Sequence, residues 1–222
     1  MLRNPNGLPF AVTALLGGTI LADALSLFAT FELRTAVTEH AGGDVSGRDL
    51  AMATMAGVGL LQILLFLATA TVFIIWFHRL RANAEVWAGD LLGRTPGWAI
   101  GGWFVPLANL WIPRGVAADI WRASRAEPSA ADRPGELLLL NGWWTAFVAD
   151  WIVARVAGRV YGWAETFEEY ASAANWLLAS DALDIVAAVL AILFVRRLTS
   201  MQHAKATGMI PAAVTKSRAP AQ

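Results

Sequence analysis

Residues Leu50–Phe77 read LAMATMAGVGLLQILLFLATATVFIIWF, a run of 28 residues without one ionisable side chain. As an α-helix this run covers about 42 Å, more than the roughly 30 Å hydrocarbon core of a bilayer. A helix that is apolar on every face needs an apolar surrounding all round it, which lipid supplies. Three further stretches have span length: about 8–31, interrupted by Asp23; about 137–156, with Asp150 and Arg155; and about 173–195, with Asp181 and Asp184. The spans at about 8–31, 50–77, 137–156 and 173–195 predict an all-α polytopic membrane protein, a four-helix transmembrane bundle. Ala22-Asp23-Ala24 has the small residues of a leader cleavage site. The apolar run continues past it, however, and Arg3 is the one basic residue before it.

Composition supports this class. The 222 residues carry 17 Lys+Arg and 17 Asp+Glu, with 57% hydrophobic and 15% charged residues and a mean hydropathy of +0.51. A soluble domain carries about 25% charged residues. The neutral balance disfavours nucleic acid as a partner, and the apolar content disfavours a disordered chain. The chain has no cysteine, so disulfides, thiolate metal sites and iron–sulfur clusters are excluded. His40, His78 and His203 stand far apart without ligand spacing, so no metal site is expected. No phosphate loop or nucleophile elbow is present, and the sequence leaves the cofactor unknown.

Charge sets the orientation. With both termini cytoplasmic, thirteen basic residues lie inside and four (Arg34, Arg48, Arg155 and Arg159) outside, the bias of the positive-inside rule. The stretch Trp98–Pro113, WAIGGWFVPLANLWIP, is uncharged but too short for a straight span, and Pro106 breaks it. It is expected to be a Trp-rich re-entrant or interfacial segment on the inner face. It leads into an amphipathic helix over 115–126, so the whole element covers 98–126. Residues 1–202 are expected to form a single integral membrane domain. Residues 203–222, rich in Ala, Pro, Lys and Ser, are expected to form a disordered cytoplasmic tail.

Helical rise brings a polar group from every span to one depth. Asp23, Gln62, Asp150, Asp181 and Asp184 all fall about 16–22 Å above the inner ends of their spans. Asp181 and Asp184, three residues apart, share a helix face. Such groups face a bundle interior or a wet cavity. One reading is an outward-facing polar pocket for a cation, a proton or a head group. The other is hydrogen-bonded glue between helices, or carboxylates hydrated near the surface.

The middle of the chain carries a recognisable pattern. It includes Trp76-Phe77-His78-Arg79, Asn83, and Thr95 to Trp111 (TPGWAIGGWFVPLANLW), then Pro113 and Ile120-Trp121-Arg122-Ala123-Ser124. The Trp143-Trp144 pair and the run Val195-Arg196-Arg197-Leu198-Thr199 with Gln202 extend it. Over about 72–202 the chain resembles a bacterial membrane family, domain of unknown function 4328. The resemblance implies the bacterial cytoplasmic membrane and marks the Trp/Pro/Asn segment as the signature; it implies no activity. Arg79, Asn83, Trp98, Trp103, Pro106, Asn109, Trp111, Trp121 and Arg122 form a candidate inner-face motif. It is read either as a docking surface for a head group or partner, or as a structural plug. The preferred function is a partner-binding, regulatory or small transport component, with the lipid bilayer, a membrane-protein partner or a homo-oligomer as partners. The alternative is a membrane-embedded enzyme acting on a lipid or isoprenoid-like substrate through the Asp cluster.

Overall fold

The computed structural model describes residues 7–39 and 45–216; His40, Asp44 and residues 217–222 lie outside the described residues. The described chain is helical, without strands. Its helices are α1 (Leu8–Glu39), α2 (Val45–Ala88), α3 (Trp98–Gly101), α4 (Ile112–Ala123), α5 (Leu138–Trp163) and α6 (Phe167–Lys216). Short 3₁₀ turns lie at Gly89–Leu91 and Ala108–Leu110. Helix is the expected answer for these runs, because it satisfies every backbone polar group within the segment. Three helices contain stretches long and apolar enough to cross a membrane: Leu8–Glu32, Ala53–Leu91 and Glu168–Gly208.

The chain divides into two compact units. The first comprises Thr13–Ala70 and Gly142–Ile192. Its helices meet through small side chains: Ala22, Ala146, Ala157, Ala173, Ala187, Ala188 and Ala191 are buried. A Cβ on Gly18 would stand 3.2 Å from Leu65 Cδ2, so α1 and α2 approach closely there. Small residues permit such backbone approach where lipid removes the hydrophobic drive for association. Many large side chains of α1 and α2 point outward instead; Leu21, Phe28, Leu60, Ile63 and Phe66 are all exposed, whereas Trp143 and Trp144 near the start of α5 are buried.

The second unit comprises Thr71–Asn141 and Leu193–Gln222 with the start of α1. Large side chains fill its core. Trp76, Phe77, Leu80, Ile120, Leu140, Phe194 and Leu198 are fully buried. Trp103 stands edge-on to Phe73 and Phe77, with centroids at 5.7 and 6.0 Å. Trp121 stacks on Phe194 at 6.2 Å. Helix α4 is amphipathic as predicted, with Pro113 in its first turn, where a missing N–H costs nothing. It buries Val116, Ala117, Ile120 and Trp121.

Helix α6 runs through Lys216, past residue 203 where the tail is expected to begin. On this helix Lys205 Nζ donates to the carbonyls of Ala123 at 2.8 Å and Arg125 at 2.7 Å. It also lies 5.4 Å from the centre of the Trp87 ring. A cation on the orphan carbonyls of a helix C-terminus both satisfies them and opposes the helix dipole.

Candidate functional site

The predicted polar layer assembles in the first unit. Asp23 on α1 is 1% exposed. Its Oδ1 accepts a hydrogen bond from Gln62 Nε2 at 2.9 Å. The same amide donates to Asp181 Oδ1 at 3.3 Å, so one side chain of α2 ties α1 to α6. Asp181 also accepts from Ser26 on α1. Asp184 hydrogen-bonds the carboxyl of Asp23. Asp150 on α5 accepts from Ser180 Oγ on α6 at 3.2 Å and is tied to the cluster through that helix. Each carboxyl therefore reaches a hydrogen-bond partner on a neighbouring helix, while Asp23 Oδ2 and Asp181 Oδ2 are buried without one. Among the described residues, no group of three or more His, Cys, Asp or Glu side chains could hold a metal ion.

The signature segment belongs to the second unit, which treats its predicted residues in different ways. Asn83 and Trp121 are buried, and Trp103 packs edge-on against Phe73 and Phe77. Asn83 Nδ2 donates to Gln202 Oε1 at 3.1 Å, and Gln202 Nε2 donates to Leu80 O at 3.1 Å and Ser124 Oγ at 3.2 Å. This buried knot joins α2, α4 and α6. Trp121 Nε1 donates to Glu136 Oε1 at 3.3 Å. Arg79 is half-buried on α2.

Arg122 joins an ionic network on the surface. Its Nε and Nη2 reach the two oxygens of Asp132 at 3.0 and 2.8 Å, a bidentate pairing. Arg125 also pairs with Asp132, and its Nε lies 2.7 Å from Glu136 Oε1. The hydrogen bonds from Arg122 and then Arg125 hold the Asp132 carboxyl well below the usual carboxylate range. The Asp132 hydrogen bond, opposed by burial, holds the Arg122 guanidinium further up. Burial pushes Glu136 up, but the Arg133 N–H, Arg125 and Trp121 outweigh it and leave this carboxyl below its ordinary value.

Trp98, Pro106 and Trp111 are exposed, and Asn109 is half-buried between them. They share an apolar crest with Phe104 and Leu107, which are 70% and 71% exposed. Leu107 has φ 63° and ψ −48°. The amide of Ala108 donates to Pro106 O at 2.7 Å. Together these define a positive-φ γ-turn, a rare and strained conformation, which pushes the leucine outward. From behind, Gly102 seats the segment: a Cβ there would lie 2.7 Å from Ile112 Cγ2.

The sequence reading missed several residues that organise this unit. Arg81 is 2% exposed, pairs with Glu85 and donates to Arg94 O. Asp132, Glu136 and Lys205 were also unassigned. The alternation of Arg122, Arg125, Asp132, Arg133 and Glu136 is the signal that points to the ionic network.

An all-helical chain with three membrane-competent helices, a hydrogen-bonded polar layer and an aromatic signature unit defines a membrane-compatible helical protein. Within that class it belongs to the family described as Domain of unknown function (DUF4328), whose model matches residues 44–200. The match covers α2 to most of α6 and leaves α1 outside. No curated protein and no solved structure matches the chain.

Proposed function

We propose that this chain is an integral protein of the bacterial cytoplasmic membrane that works by binding a membrane-protein partner or a second copy of itself, in a regulatory or small transport assembly, rather than by catalysis. Helix α5, 26 residues long, serves as the fourth span, and both termini are cytoplasmic. The thirteen-to-four charge bias supports this orientation. The segment from Trp98 to Trp111 lies at the inner membrane face as an interfacial element.

The exposed crest carries the reading. A strained γ-turn at Leu107, supported by packed neighbours, presents Phe104, Leu107 and Trp111 away from the core. Backbone strain persists where the surroundings enforce it, and it concentrates at working surfaces. The polar layer favours the same conclusion. Its carboxyls are engaged with one another, with Gln62 and with serines, as in packing glue.

The absence of cysteine makes the test clean. Single cysteines at Ser46 and Ser172 should label in intact cells with a membrane-impermeant maleimide, and those at Ser129 and Ser217 should not. A photo-crosslinker at Phe104 in native membranes should give one discrete protein adduct. Leu107→Gly should weaken that adduct while raising stability by about 1 kcal/mol, because glycine relieves the positive φ. Only lipid adducts at Phe104, or the reverse labelling pattern, would overturn the proposal.

A further inference from the structure

A groove of about 730 Å³ opens in the second unit beside the start of α5. Leu138 and Leu139 of α5, and Leu193 and Met201 of α6, line it with apolar surface. Arg133 and Arg197 stand on its lining. Both are exposed, and among the described residues neither guanidinium makes an ion pair. The reason lies next to them. Asp132 and Glu136, the acids nearest Arg133 in sequence, are taken up by Arg122, Arg125 and Trp121. Glu136 also lines the groove, with its charge facing Arg125 at 2.7 Å. Gly135 turns the rim at φ 75°, a conformation costly for any other residue.

Two unpaired guanidiniums above apolar walls match one kind of ligand: a phosphate bearing acyl chains. Arginine binds phosphate oxygens through a planar fork, and basic pockets between membrane helices hold lipid head groups. The depth also agrees. Leu193 and Arg197 fall within the membrane-competent stretch Glu168–Gly208, where its apolar run gives way to Arg196-Arg197.

We infer that this groove is a head-group site for one anionic phospholipid, with its acyl chains against Leu138, Leu139 and Leu193. The inference rests on the inner-face orientation proposed above. It is independent of the crest.

The test uses the full chain in detergent micelles, titrated with phosphatidylglycerol, phosphatidylcholine or inorganic phosphate, with bound lipid counted by native mass spectrometry. One phosphatidylglycerol should be retained in preference to phosphatidylcholine. Arg133→Ala with Arg197→Ala should weaken it about thirtyfold, or about fivefold per arginine. Arg196→Ala, outside the lining, should leave binding unchanged. Leu139→Trp, which fills the groove with both arginines intact, should also abolish retention. Equal retention of phosphatidylcholine, full retention by the double variant, or displacement by inorganic phosphate would overturn the site. Alkaline extraction of membranes separates the two failures. A chain that stays in the membrane while binding both lipids equally loses only the groove; a chain that is extracted loses the membrane reading as well.

Discussion

The two units of this chain solve the packing problem with opposite materials. The unit of Thr13–Ala70 and Gly142–Ile192 buries mainly alanines and threonines, with Trp143 and Trp144 its buried aromatics, and joins its helices through Gln62 and four aspartates. The signature unit buries three of its tryptophans or phenylalanines completely and ties its polar groups around Gln202. In lipid, an exposed leucine loses nothing by staying outside, so large apolar side chains have little reason to turn inward. Close backbone contact and hydrogen bonds are what remain. Where helices extend beside loops and charged groups, burial of aromatic surface is again favourable. The sharpest contrast between the units is therefore in what a truncation costs.

The largest expected effect follows directly. Trp76→Ala removes a fully buried ring that packs on Phe73, Phe77 and Phe194 and donates to Thr199 at 3.1 Å. The loss should be about 3–5 kcal/mol. Leu16→Ala, at a buried position of the alanine-rich unit, should cost about 2 kcal/mol, at the low end for such truncations. Unfolding in mixed micelles titrated with SDS measures both. Equal losses would break the comparison.

A matched pair sharpens it. Gln202→Leu and Gln62→Leu make the same chemical change in the two units. Gln202 is 2% exposed and serves Asn83, Leu80 O and Ser124 together. Its loss should cost about 2–3 kcal/mol, since buried partners lose their hydrogen bonds. Gln62→Leu should cost about 1 kcal/mol, because polar groups unfolded within a membrane find other partners. The same SDS titration decides the order. A larger cost at Gln62 would mean that the aspartate layer is under more electrostatic tension than packing glue implies.

The legible parts of this molecule are those set by local composition. The apolar runs in α1, α2 and α6 and the amphipathic face of α4 follow from residue pattern alone. So does the depth argument that brings Gln62 to Asp23 and Asp181, because helical rise is fixed. What escapes is long-range. Lys205 lies at least 80 residues from the carbonyls it caps, so nothing near it in sequence marks it as ordered. Arg81 looks like its neighbour Arg79, yet only the fold buries it against Glu85 and Arg94. In the irregular stretch 98–111 no period sorts the tryptophans. Trp103 goes inward and Trp111 outward because of a γ-turn and a glycine seat, not a helical repeat.

The smallest expected effect tests the ionic loop after α4. Hydrogen bonds from Arg122 and Arg125 depress the folded-state titration of Asp132, and Glu136 is also held below its ordinary value. For a carboxyl held low, the folded state favours the charged form. Its stabilisation is present above the unfolded-state value and is lost as pH falls through the folded one. Amide protection over 126–136, read by hydrogen exchange in nanodiscs after correction for intrinsic rates, should therefore hold from pH 7 to about 5. It should decline below about pH 4, where free carboxyls begin to take up protons. Asp132→Asn should lower protection at neutral pH and flatten the profile. The effect should stay local, because Asp132 and Arg122 are 39% exposed and exposed ion pairs contribute little to global stability. A wild-type profile that matches the Asp132→Asn profile at every pH would show that Trp121 and the Gln202 knot hold this loop without help from charge. The aromatic unit would then contrast with the alanine-rich unit by packing alone.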